Sequence, residues 1–102
     1  MLYHLDFKVE YPPTLSQKEF FTIWVEEAKV ALGAKAAGTI IDLWKVVGMR
    51  RVIAIVDVDS PDTLDGILLD LPIIKQLGHH VNVEVTSLRK YEDFAKHLEA
   101  RI

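Results

Sequence analysis

Along the first ten residues, apolar and polar side chains take turns. Tyr3, Leu5, Phe7 and Val9 fall on one side, and His4, Asp6 and Lys8 on the other. That period of two belongs to a strand with one apolar and one polar face. "YPPT" ends it, because proline has no N–H to continue a ladder. "TLSQKEFFTIWVEEAKVALGAKAAG" then switches to helical spacing. Thr14 with Gln17 and Ser16 with Glu19 each fit a capping box, and Gly38 suits the position just past the helix end. "TIIDLWKVV" reads as a second strand, Gly48 as a turn, and Arg51 to Val58 as a third strand. A short helix follows in "DSPDTLDGILLDLP". Ser60 can cap it, Pro61 suits its first position, and Asp62 favours the positive end of its dipole. Leu64, Ile67, Leu68 and Leu71 form its apolar stripe, and Pro72 ends it. "HHVNVEVTS" alternates again, with Val81, Val83 and Val85 opposite His80, Asn82 and Glu84. The last segment, "SLRKYEDFAKHLEARI", spaces Leu88, Tyr91, Phe94, Leu98 and Ile102 as one face of a helix.

The order is therefore β-α-β-β-α-β with a C-terminal helix. This is the α+β, ferredoxin-like split βαβ pattern. Right-handed crossovers give an antiparallel sheet in the order 4-1-3-2, with both helices on one face. Residues 1–102 are expected to form one domain.

The third strand poses a problem. Val52 to Val56 is apolar at every position, so both faces of this strand are apolar. One face meets the helices; the other has no helix to meet. Exposed apolar area costs on the order of 25 cal/mol per Å². A second copy of the sheet, packed face to face, is the expected cover, with the terminal helix the weaker candidate, so the chain is expected to form a homodimer. The alternation then predicts a shared, partly polar hollow between the sheets. His4, Asp6, Lys8, Asp42, Trp44, His80, Asn82 and Glu84 would line it.

Composition narrows the field. The net charge is −3, without the basic stripe of a nucleic-acid binder. There is no cysteine, hence no disulfide, thiolate nucleophile or cysteine-based metal site. The start of the chain lacks an apolar signal-peptide core, and no run approaches the ~20 apolar residues of a membrane span. A cytoplasmic location is expected. No phosphate loop, nucleophilic triad or dinucleotide motif occurs. His79 and His80 are adjacent, which on a strand sends them to opposite faces, so no metal site is expected there.

One residue stands out on the first helix. Its apolar positions, from Phe20 to Ala34, occupy an arc of roughly 220°, about twice what a helix on a sheet requires. Lys35 interrupts the arc near the helix end and can extend its ammonium to water. Glu27 also interrupts it, between Phe20 and Ala31 on one side and Ala34 and Ile23 on the other. Apolar surroundings disfavour the charged carboxylate and raise its pKa, which suits a group that takes and returns a proton at neutral pH. A boundary glutamate pairing across a subunit contact has the same pattern.

Several of these residues together resemble the muconolactone Δ-isomerase family. They are "MLYHLDFKV", Glu27, Gly38-Thr39, Leu43-Trp44-Lys45, Gly48, "VDV" ending at Val58, Ser60, Leu64, Leu68 and Leu71-Pro72. The likeness resumes at "VNVEV", after an insertion that contains "KQLGHH". The resemblance implies a dimeric α+β barrel, in some members assembled into decamers. It implies a cofactor-independent enzyme that moves a proton within an unsaturated five-membered lactone; close relatives eliminate chloride from chlorinated lactones. It implies that Glu27 is the proton-shuttling glutamate. The chain also departs from the family. Trp24 stands where a lysine is common, one turn before the glutamate. Arg50 and Val52 stand at positions of a tyrosine and an asparagine. The expected substrate-binding residues are therefore Trp24, Trp44, Arg50 and His4. The two tryptophans would supply flat walls, and Arg50 or His4 would stabilise a developing enolate. Two other readings stay open: an altered barrel that only binds a small molecule, and a cofactor-free barrel monooxygenase or dehydratase.

Overall fold

The computed structural model describes residues 1–102. Strand β1 (Leu2–Val9) leads to helix α1 (Gln17–Ala36), then to the hairpin of β2 (Ile40–Lys45) and β3 (Arg51–Asp57). Helices α2 (Pro61–Asp70) and α3 (Pro72–Leu77) follow, then a 3₁₀ turn over Gly78–His80, strand β4 (Val81–Leu88) and helix α4 (Tyr91–Glu99). All strand pairs are antiparallel, in the order β2-β3-β1-β4. This is the expected α+β, split βαβ arrangement, with β1 and β3 in the middle.

Local chemistry sets the boundaries. Of the two possible capping boxes, Ser16 and Glu19 form the real one. The Ser16 hydroxyl accepts from the Glu19 N–H at 3.1 Å, and the Glu19 carboxylate accepts from the Ser16 N–H at 3.0 Å. At the other end of α1, Gly38 takes φ +89°. Its N–H donates to the Lys35 carbonyl, and the Thr39 N–H donates to the Ala34 carbonyl. These two bonds satisfy the last carbonyls of the helix and turn the chain into β2.

Three boundaries differ from expectation. Pro72 follows α2 but does not end the helical region: Leu71 is extended, and Pro72 opens α3. Proline suits the first position of a helix as well as the position after one. Strand β4 begins at Val81, because His79 and His80 lie in the 3₁₀ turn. It then runs to Leu88, so the last helix starts only at Tyr91.

The sheet register shows which face each side chain takes. Tyr3, Leu5 and Phe7 lie opposite Val56, Ala54 and Val52. Tyr3, Leu5, Ala54, Val56 and Val58 pack with Leu64 of α2 in one buried cluster. Val9, Phe20, Ile73 and Leu77 form a second cluster, where α1 and α3 meet the sheet end. Ile53 and Ile55 lie on the opposite, helix-free face, beside Asp6, His4, Asp42 and Trp44. On that face the guanidinium of Arg51 grips Asp6 with two bonds, of 2.9 and 2.6 Å.

Helix α4 projects from this body. The Cα radius of gyration is 16.1 Å, whereas a compact chain of this length has about 13 Å. Tyr91, Leu98 and Ile102 of the terminal segment are half to fully exposed. No helix is long and apolar enough to cross a membrane.

Candidate active site

A cavity of about 500 Å³ lies between the sheet and helices α1, α2 and α3. It separates the two buried clusters and touches both. Its origin is a run of small side chains. Ala28, Ala31 and Ala34 of α1 face Ala54 of β3 across it, where larger residues would fill the space. Of its 24 lining residues, 21 are hydrophobic. The three others are Glu27, Thr39 and Lys45.

Glu27 stands on the inner side of α1, partly buried, and is the only acid in the lining. Its Oε2 accepts a bond from the backbone N–H of Ile73, at 3.3 Å. Burial pushes the Glu27 carboxyl above its ordinary value of 4.5, and the Ile73 N–H opposes that with a smaller effect. Lys45 is exposed at the edge of the cavity, where its ammonium donates to the Val46 carbonyl at 3.0 Å. Trp24 lines the cavity one turn before Glu27 and packs edge-on against Phe20, with ring centroids 5.6 Å apart.

This cavity within one chain opens on the other face of the sheet from the hollow expected between two copies. Alternation correctly separated His4, Asp6 and Lys8 from Tyr3, Leu5 and Phe7. It could not reveal which face has unfilled space behind it. The cavity lies behind the apolar face, because the alanines of α1 leave room there. His4 points to the helix-free face and is not in the lining, which removes it from the neighbourhood of Glu27. Asp6 is committed to Arg51. Trp44 pairs with Ile53 in the register but borders the cavity from the edge of the sheet, half exposed. Arg50 is also outside the lining. Its Nε–H donates to the Val9 carbonyl at 3.2 Å, and it occupies an adjoining groove with Tyr11, Phe21 and Met49. His80 sits in the 3₁₀ turn with its Nδ1 buried, without a hydrogen bond and 3.9 Å from Oε2 of Glu10.

Thr39, Lys45 and the Ile73 N–H are site groups that the sequence reading missed. Gly38 was a visible signal for Thr39, since the turn it makes sends the next residue back over the helix end. No three His, Asp or Glu side chains come together in a way that could hold a metal ion.

Fold and site together define a small α+β protein with an apolar cavity and one partly buried carboxyl group in its lining. Comparison with known proteins gives the family. The muconolactone delta-isomerase family pattern matches residues 1–93, and the chain belongs to that family. It is similar to a muconolactone Delta-isomerase of Rhodococcus opacus, 29% identical over 90 residues that cover 88% of this chain and 92% of the relative. It is also similar to muconolactone Delta-isomerase 2 of Acinetobacter lwoffii, 25% identical over 91 residues, covering 89% and 91% of the two chains. A muconolactone isomerase crystal structure superposes with a TM-score of 0.74 at 26% identity, covering 88% of this chain and 90% of the other.

Proposed function

We propose that this protein is a cofactor-independent isomerase that shifts a carbon–carbon double bond in an unsaturated lactone or a related conjugated carbonyl compound. Glu27 carries the proton. The observation that supports this most is the lone carboxyl group in an apolar cavity, its pKa raised by burial. Membership of an isomerase family supports the same reading.

In the first step the ionised Glu27 takes a proton from the carbon between the double bond and the ring oxygen. The C–H electron pair delocalises through the double bond to the carbonyl oxygen, giving a dienolate. In the second step the Glu27 carboxylic acid returns the proton to a different carbon, and the double bond re-forms one position along. No atom is gained or lost. One carboxyl group serves both steps because its pKa lies nearer the operating pH than that of a free glutamate. The Thr39 hydroxyl and the Lys45 ammonium are donors in the lining that can serve the carbonyl oxygen. Trp24 and Trp44 supply flat walls.

A homodimer belongs to the same reading. Ile53 and Ile55 on the helix-free face and the exposed stripe of α4 both need cover, and a second copy would supply it.

The test is carbon-bound hydrogen exchange in deuterium oxide, followed by NMR across a panel of unsaturated lactones. The wild-type protein should exchange and isomerise one of them. Glu27→Gln should lower that rate by at least about 10²-fold with the oligomer intact. Unchanged exchange in the variant would refute the role of Glu27. The sparse polar lining also favours a second reading, a barrel that only binds its ligand. Shifted ligand signals without exchange would identify it.

A further inference from the structure

We infer that the cavity selects a neutral, hydrocarbon-rich unsaturated ketone or lactone and rejects carboxylate-bearing ones, and that Trp24 enforces this choice as a partition. This rests on the proposed site and extends it to substrate class.

Size is the first ground. A single five-membered lactone ring would leave most of the 500 Å³ unfilled. The lining beyond Glu27 is aliphatic, contributed by Leu43, Val52, Ala54, Leu64 and Leu68. It suits an alkyl or fused-ring extension of the reacting group. Charge is the second ground. A carboxylate placed there loses its hydration and meets no cation except Lys45, which is at the edge and bonded to the Val46 carbonyl. It also shares the space with Glu27, whose own ionised form the site already disfavours.

A further cation is held next door. Arg50 lies in a groove of about 580 Å³ that shares only Trp24, Ala28 and Lys45 with the cavity lining. The Trp24 indole, braced by Phe20, is the large member of that shared wall. It keeps the guanidinium out of the space in front of Glu27.

The experiment uses two γ-alkyl, α,β-unsaturated butenolides of equal chain length, one ending in a methyl group and one in a carboxylate. Binding is measured by calorimetry on Glu27→Gln, at a pH where the carboxylate is ionised. That variant removes turnover and like-charge repulsion, so preference reports the walls alone. The methyl-ended probe should bind at least about tenfold more tightly, equivalent to about 1.4 kcal/mol. Adding Trp24→Ala should narrow the gap by opening the Arg50 groove. Adding Arg50→Gln with Trp24 intact should leave the ratio unchanged. Equal binding, preference for the carboxylate, or binding of neither probe overturns the substrate class. A ratio that moves with Arg50→Gln, or that a folded Trp24→Ala variant leaves alone, overturns the partition. Failure of the proton-shuttle reading would look different: both probes would keep their order of affinity, while the wild-type protein and Glu27→Gln exchanged at the same rate.

Discussion

The backbone N–H of Ile73 donates to Oε2 of Glu27, 46 positions earlier in the chain. The bond joins α3 to the middle of α1 and fixes the direction in which the carboxyl group faces. It also limits how far burial can raise the Glu27 pKa, because the N–H favours the ionised form.

The raised pKa has a stability signature. The folded state holds the Glu27 proton more tightly than the unfolded state does. This contribution is therefore fully present below the ordinary value of 4.5 and is lost as pH rises through the higher folded value. Urea denaturation from the acid range to neutrality should show wild-type stability falling relative to Glu27→Gln across that window. Parallel curves would mean that the carboxyl group titrates as if in water.

Asp6 behaves in the opposite sense. The hydrogen bonds from Arg51 hold its carboxyl below the ordinary 3.8, against a smaller opposing effect of burial. Its contribution is present above 3.8 and disappears as pH falls through the lower folded value. Arg51→Met leaves Asp6 buried without its partner. It should lower the melting temperature by several degrees at neutral pH, and the penalty should shrink in acid. Restoration of part of the loss by Asp6→Leu in the same chain would show that the stranded carboxylate is the cause.

Filling the cavity separates binding from folding. Ala31→Phe places a ring in the space between α1 and the sheet. Thermal denaturation should show a chain as stable as wild type or up to about 1 kcal/mol more stable. Calorimetry should show at least tenfold weaker binding of any cavity ligand, about 1.4 kcal/mol. A destabilised variant would mean that the space is already filled in solution.

Gly38 holds φ +89° with open space where a Cβ would stand. Gly38→Ala therefore costs backbone strain without a clash, about 1 kcal/mol in denaturant titration. A larger loss would point to a contact made by this turn in the assembled protein.

The element order was legible because the hydrophobic period switches cleanly between two and 3.6 and because Ser16, Gly38, Ser60 and Pro61 mark helix ends. Helix α3 was not legible. Six residues give too little periodicity, and Pro72 reads equally well as a stop and as a start. Glu27 was legible as a carboxyl group out of place on an apolar arc. Its surroundings were not. Whether a face has room behind it depends on the alanines of α1 and the stand-off of α3, and these are tertiary quantities. Pairing was equally hidden: nothing local says that Arg51 meets Asp6 while Arg50, one residue earlier, turns to the Val9 carbonyl.

Helix α4 has nine residues, and Tyr91 and Leu98 on its apolar stripe lie largely in water. A segment that short does not sustain its own hydrogen bonds in isolation. If a second copy covers it, as proposed, its coiling is a gauge of crowding: on dilution the far-ultraviolet dichroism of the tail should fade while the pleated body keeps its spectrum.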